Sequence, residues 1–179
     1  MINRDETLFV VIDFQEKLMP VMHNKEVLED KVCRLAEGMK ALGIPHIVTQ
    51  QYTRGIGETI PSVAEAIGEF EPIDKTSFSC MRNEEFARQL AEAGKKNIVI
   101  CGIEAHICAL QTVEDLLAEG YKVYVAVDCM SSRDANDYLW AAERMETAGA
   151  IVTTYEAILY EILGDAKAEG FKSVSKIVK

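Results

Sequence analysis

Short apolar runs alternate with segments of helical periodicity along most of this 179-residue chain. The first run, TLFVVID at residues 7–13, is almost continuously apolar, as expected of a strand that is buried on both faces. In the next segment Leu28, Val32 and Leu35 recur at helical spacing, and Asn24 can cap the start. This alternation predicts strand–helix–strand crossovers, and therefore a mainly parallel sheet with helices on both faces.

Six strands and six longer helices follow from this pattern. The predicted strands are 7–13, 46–51, 73–75, 97–102, 121–127 and 150–153, and the predicted helices are 24–42, 83 to the stop at 94, 106–119, 134–148, 155–163 and about 171–178. No linker, repeat or low-complexity tract divides the chain. The expected fold class is α/β, a three-layer α/β/α arrangement with a six-stranded, mainly parallel, Rossmann-like sheet in a single domain over residues 1–179.

Composition excludes several classes of protein. With 49% hydrophobic and 27% charged residues, the chain is not of the disordered type. The net charge of −10, without any Lys/Arg run, argues against nucleic-acid binding. No apolar run approaches the ~20 residues that span a bilayer, so no membrane partner is expected. The N-terminal stretch lacks signal-peptide features and the five cysteines show no disulfide or zinc spacing, which favours a cytoplasmic protein.

Three reactive residues follow predicted strands. Asp13 ends the first strand, Lys75 ends the third, and Cys108 comes shortly after the fourth, at the start of a helix. Because ligands bind outside the carboxyl ends of parallel strands, an acid, a cation and a thiol gathered at this edge resemble an activated nucleophile. Each residue alone has an ordinary structural interpretation, as a turn residue, a solvated charge or a small buried side chain, and spacing by itself leaves both interpretations open.

Several motifs resemble the isochorismatase-like cysteine hydrolase superfamily, which includes nicotinamidases, N-carbamoylsarcosine amidases and isochorismatases. They are IDFQ at 12–15, DKTSF at 74–78, GIEAHICALQT at 102–112, VDCMSSRD at 127–134 and AGAIVTTYEAILYEIL at 148–163. The resemblance covers nearly the whole chain, and GIEAHIC is its most specific part. It implies a homo-oligomeric protein that hydrolyses a small molecule.

Carried over by position, the family's catalytic triad becomes Asp13, Lys75 and Cys108. The resemblance also implies a cis peptide at Ile103–Glu104, which turns the Glu104 N–H toward the substrate oxygen, with the Cys108 N–H as the second donor. An acid beside a thiolate would oppose its charge, which favours a Glu104 carboxylate that faces away, although the sequence leaves its direction open. A helix N-terminus favours the Cys108 thiolate. Asp13 would take the thiol proton, Lys75 would keep Asp13 charged, and a small amide or related acyl compound would be hydrolysed through a thioester.

One stretch departs from the family pattern. Nicotinamidases place a metal-binding Asp and His just after the second strand, but here TQQYTRGIG at 49–57 contains neither residue. His23, His46 and His106 have no partners at ligand spacing. We therefore expect no metal and no cofactor, and nicotinamide is an unlikely match for this site. The motifs are closer to the small, metal-free subgroup whose substrates are mostly unassigned.

Six neighbouring residues are predicted to line the substrate pocket, although each can also be interpreted as a core, cap or loop residue: Phe14, Gln15, Tyr52, Phe78, His106 and Ile107. Among the other cysteines, Cys129 at the end of the fifth strand is a rival nucleophile. Cys33 and Cys101 are expected in the core, and Cys80 near the rim of the pocket.

Two other functions compete with the hydrolase. A nucleotide-binding Rossmann domain needs a glycine-rich turn after its first strand, whereas this chain has DFQEK at 13–17. A catalytically idle scaffold that binds a partner remains open, because some family members lack known substrates. An intact Asp, Lys and Cys set favours the enzyme over the scaffold.

Overall fold

The computed structural model describes residues 2–179 and places six strands in one parallel sheet. The strands are β1 Thr7–Ile12, β2 His46–Gln51, β3 Ile73–Lys75, β4 Asn97–Gly102, β5 Lys122–Met130 and β6 Ile151–Thr153. Their order in the sheet is β3-β2-β1-β4-β5-β6. Successive strands are added on one side of β1 up to β3 and on its other side from β4 onward, and such sheets form a ligand crevice at this switch between β1 and β4. The predicted Rossmann-like α/β class is confirmed.

Eight α-helices cover the sheet. They are α1 Lys25–Ala41, α2 Thr53–Ile56, α3 Pro61–Ile67, α4 Glu84–Ala93, α5 Leu110–Ala118, α6 Ala135–Thr147, α7 Tyr155–Leu163 and α8 Phe171–Ile177. The helices α2 and α3 are absent from the sequence prediction, and α2, with four residues, is too short to show helical periodicity. Among the helices of residues 2–179, none has the length and apolar character needed to cross a membrane.

The two faces of the sheet carry separate hydrophobic cores. Phe9 and Val11 of β1 point into a core built with α1, α3, α7 and α8, which we call the α1-side core. Leu8 and Val10 point into the α5-side core, which α4, α5 and α6 complete. Successive strand residues therefore face opposite cores. This double burial explains why β1 is apolar along its whole length.

Three local predictions need correction. Asn24 has φ 51° and bonds the His23 ring, so it does not cap α1, whereas Asn83 and Asp134 do cap their helices. The helix predicted from His106 begins with a π-helical turn over Ala105–Ala109 before α5. Strand β5 continues to Met130 because a register shift lets it pair again with Gly102 of β4.

Candidate active site

The acid, the ammonium and the thiol predicted from sequence meet at the carboxyl edge of the sheet. The Lys75 Nζ lies 2.7 Å from the Asp13 Oδ2, and both side chains are fully buried. The same Nζ lies 2.6 Å from the Gln51 Oε1, and the Cys108 Sγ lies 3.9 Å from that oxygen. One amide oxygen therefore joins the ion pair to the sulfur.

Asp13 is held by the end of β2. Its backbone leaves β1 with φ 60°, a conformation that Asp adopts more readily than most residues. The Thr49 hydroxyl donates to the Asp13 Oδ1 over 2.7 Å, while Lys75 occupies Oδ2. Each carboxylate oxygen thus has its own donor, which a buried charge requires.

Lys75 is positioned by the pairing of β3 with β2, in which it lies opposite Gln51. Its ammonium also donates to the backbone oxygens of Ser77, over 3.3 Å, and Phe78, over 3.2 Å. Burial alone would lower the pKa of this amine, but the Asp13 carboxylate and the nearby thiols outweigh burial, so the Lys75 pKa is raised. The group is therefore a permanent cation at neutral pH.

Cys108 lies in the π-helical turn, two residues before α5 begins. Its carbonyl accepts from the Thr112 hydroxyl, which in turn accepts from the Cys80 N–H. Burial, with the Asp13 carboxylate as the next contribution, raises the pKa of the Cys108 thiol, and Lys75 offsets only part of this. Burial and the neighbouring carboxylate therefore act against the thiolate that a helix N-terminus would favour.

The peptide bond between Ile103 and Glu104 is cis. The Glu104 carboxylate turns toward the loop after β5, where its Oε2 accepts from the Arg133 backbone N–H over 2.9 Å and from the Arg133 Nε over 3.1 Å. Just before this bond, a Cβ at Gly102 would come within 2.5 Å of the Ile12 Cβ. A glycine is therefore required where β4 passes closest to the end of β1.

Four of the six predicted pocket residues surround this cluster. Tyr52 and Phe78 are half-exposed, and their backbones bond the Lys75 carbonyl and ammonium, respectively. The His106 Nδ1 lies 2.8 Å from the Ser132 Oγ, which ties the nucleophile turn to the loop after β5. Ile107 is partly buried and packs against the α5-side core, to which Cys108 belongs.

The other two predicted pocket residues have structural contacts instead. Phe14 is buried in the α1-side core and not in the core that contains Cys108. Gln15 is fully buried, and its amide bonds the backbone of Gln51 through both its oxygen and its nitrogen, and the Gly57 carbonyl as well. The predicted ligand contacts of these two residues are therefore replaced by packing for Phe14 and by bracing of β2 for Gln15.

Sequence reasoning missed Thr49 and Gln51, which contact the cluster directly. Both lie near the carboxyl end of β2, so the strand-end argument that identified Asp13 applies to them equally. Cys80 was expected at the pocket rim, but it is fully buried, with its Sγ 3.8 Å from the Thr49 hydroxyl. Cys129, the rival nucleophile, is buried in the α1-side core, and burial raises its pKa well above the usual range.

Within residues 2–179, no three His, Cys, Asp or Glu side chains are grouped in a way that could hold a metal ion. His23 contacts Asn24, and His46 contacts the Glu69 carbonyl at the opposite end of β2 from Gln51. The polar groups around Cys108 are instead the Lys75 ammonium and two acceptors of its hydrogen bonds, the Gln51 amide oxygen and the Asp13 carboxylate.

Comparison with known sequences identifies one family. The isochorismatase domain model matches residues 7–157. Isochorismatase domain-containing protein 2 of Xenopus laevis is 37% identical over 176 residues, which cover 98% of this chain and 84% of that protein. Isochorismatase domain-containing protein 1 of Salmo salar is 36% identical over 173 residues, which cover 97% of this chain and 61% of that protein. The chain thus spans less than two thirds of the salmon protein.

Comparison with solved structures gives the same fold. The MAR1 ribonuclease of Caenorhabditis elegans superposes with a TM-score of 0.93 at 39% identity, covering 99% of this chain and 91% of that one. YcaC of Escherichia coli, an octameric hydrolase of unknown specificity, superposes with a TM-score of 0.92 at 20% identity, covering 98% of this chain and 89% of that one. At that identity, the second similarity establishes the shared fold alone.

Proposed function

Because the chain belongs to the isochorismatase family of hydrolases, we propose that it hydrolyses a small amide or related acyl compound through a thioester on Cys108. The observation that supports this proposal is the contact network in which the Gln51 oxygen links the Cys108 thiol to the buried Lys75–Asp13 pair. A nucleophile, a base and a fixed positive charge then lie within one cluster, which is the arrangement that covalent catalysis needs.

In the proposed first half-reaction, the thiol proton moves to the Asp13 carboxylate as the sulfur attacks the substrate carbonyl carbon. A C–S bond forms, and the Glu104 and Cys108 N–H groups hold the resulting oxyanion. The C–N bond then breaks, the leaving amine takes the proton from Asp13, and a thioester remains on Cys108.

In the proposed second half-reaction, water gives a proton to Asp13 and its oxygen attacks the thioester carbonyl. The C–S bond breaks, the carboxylic acid leaves, and the proton on Asp13 returns to the sulfur. Lys75 bonds Asp13 throughout and offsets the negative charge that passes between sulfur and carboxylate. No step requires an external oxidant, reductant or cofactor.

The test is turnover of a panel of small amides and ureides by wild type and by Cys108→Ala, with mass spectrometry of the trapped protein. We expect Cys108→Ala to lose turnover, and a mass adduct to map to Cys108 in wild type. Cys33→Ala is the control, since Cys33 lies on α1 away from this cluster. Full turnover of a confirmed substrate by Cys108→Ala would exclude the thioester mechanism.

RNA cleavage is a second candidate, because the C. elegans protein that is 39% identical is a ribonuclease. The net charge of −10 works against a polyanionic substrate, since phosphate binding depends on Lys and Arg. We expect no cleavage of single-stranded or double-stranded RNA under conditions in which an amide is turned over. Cleavage that Cys108→Ala abolishes would replace the amide with RNA as the substrate class.

An idle scaffold is the third candidate. It differs from the enzyme in having no substrate that leaves an adduct on Cys108.

The proposal also includes a homo-oligomer, since Leu139 and Trp140 of α6 expose large apolar surfaces that a second copy could cover. It includes a cytoplasmic setting, because all five cysteines are free, as in reducing compartments. Light scattering of the purified protein measures its oligomeric state.

A further inference from the structure

Gln51 contacts both Lys75 and Cys108, yet the proposed reaction assigns it no step. Its backbone N–H and carbonyl both bond the Gln15 amide, over 2.6 and 3.0 Å. Its side-chain Nε2 donates to the Thr76 carbonyl over 2.9 Å. Because the nitrogen is committed to Thr76, the amide cannot flip, and the Oε1 must face Lys75 and Cys108.

This fixed oxygen is a neutral acceptor for two donors. It accepts from the Lys75 ammonium over 2.6 Å and lies 3.9 Å from the Cys108 sulfur. An ammonium has three N–H donors, which here are shared among this oxygen, Asp13 at 2.7 Å and the Ser77 and Phe78 carbonyls, so Lys75 acts on the sulfur through its charge. The titratable groups that act on the Cys108 thiol are Asp13 of the β1 end, Lys75 of β3 and Cys80 of the turn before α4. Lys75 is the cation among them.

We propose that Gln51 is a positioning residue that holds the Lys75 ammonium and the Cys108 thiol on one uncharged oxygen, which leaves the lysine charge available to the thiolate. This inference rests on the proposed function and deepens it. A carboxylate at the same place would also accept from Lys75. It would, however, neutralise that charge and put a second anion, besides Asp13, next to the sulfur when the sulfur ionises.

The same amide also distinguishes the resting state from the reacting state. In the resting state the Cys108 S–H donates to the Gln51 Oε1. Once the proton has moved to Asp13, the sulfur has no hydrogen to donate, and the Gln51 oxygen repels it. The Lys75 charge then stabilises the thiolate through space, while the oxygen keeps its bond to Lys75.

The test is the rate of iodoacetamide alkylation of Cys108, followed by mass spectrometry, as a function of pH. In Gln51→Glu, we expect the midpoint of the rate–pH curve to move upward by about one pH unit, so that alkylation below the midpoint is about tenfold slower. Gln51→Met, which removes the acceptor without adding charge, should shift the midpoint less. Gln89→Glu on the exposed face of α4 adds the same charge far from the site and should leave the curve unchanged.

Two results would overturn the proposal. One is a Gln51→Glu curve that coincides with wild type, and the other is an equal shift in Gln51→Glu and Gln51→Met, which would point to general disruption of the site. Circular dichroism on each variant establishes that the fold is retained. The alkylation rate is measured without substrate, so it is independent of the proposed hydrolysis. A shifted midpoint together with no turnover of any amide would support the positioning role of Gln51 and contradict the proposed hydrolase activity.

Discussion

The Lys75 ammonium and the Asp13 carboxylate form an ion pair of 2.7 Å, and both side chains are completely buried from solvent. Lys75→Met removes the cation and leaves a buried carboxylate without its partner. We expect the free energy of unfolding to fall by about 3–5 kcal/mol, measured by urea denaturation. Lys96→Met is the control, because its ion pair with Glu6 is exposed and should contribute little. Equal effects of the two substitutions would mean that other groups stabilise the buried Asp13 charge when Lys75 is absent.

The Thr49 hydroxyl is expected to stabilise the other oxygen of the same carboxylate. Thr49→Val keeps the shape of the side chain but removes the donor to the Asp13 Oδ1, in a fully buried place. We expect a loss of about 1–3 kcal/mol in the free energy of unfolding, since a buried acceptor is left unsatisfied. Thr153→Val on the edge strand β6 is the matched control, and a Thr49→Val protein as stable as wild type would contradict the expectation.

Arg133 is expected to hold the nucleophile turn through Glu104. Glu104 is buried, while the Arg133 side chain is largely exposed. Because Arg133→Met removes the guanidinium, the Glu104 carboxylate keeps only the backbone N–H of residue 133 as a donor. We expect lower turnover together with a loss of about 1–3 kcal/mol in the free energy of unfolding. The control is Arg144→Met, whose partner Glu114 lies on the surface of α5. Unchanged turnover in Arg133→Met would show that the ion pair does not position the turn.

Cys80 should make the fold less stable in alkali. Burial, followed by the Asp13 carboxylate, raises the pKa of this thiol from 9.0 to about 11. Between these values the unfolded thiol ionises and the folded thiol does not, so the free energy of unfolding falls as pH rises, by about 1.4 kcal/mol per pH unit at most. We expect Cys80→Ala to make the fall in stability between pH 9 and 11 less steep, because one of the buried thiols is removed, and urea denaturation measures this. Parallel curves for the two proteins would exclude Cys80 as the cause.

Strand and helix positions could largely be predicted from sequence, because burial on both faces of a parallel sheet leaves nearly continuous apolar runs, as in β1 and β4. The strand-end argument also placed Asp13, Lys75 and Cys108 at one edge. The predicted cap at Asn24 is wrong, since its left-handed backbone and its contact with His23 depend on how the preceding turn packs. Helix α2, with four residues, was too short for periodicity to reveal it.

What the sequence by itself determined is the layered fold, the family and the three reactive side chains, because these depend on hydrophobic periodicity and on motifs that are local in the chain. Only the tertiary structure decided the state of those groups. Gln51 and Lys75 are 24 residues apart in sequence but share a bond, and Asp13 and Lys75 are separated by 62. A pKa depends on distance to charges and on exclusion of water, and both arise only when distant strands pair. For that reason the sequence could not show that burial and the Asp13 carboxylate raise the pKa of the Cys108 thiol, which the helix N-terminus alone would lower.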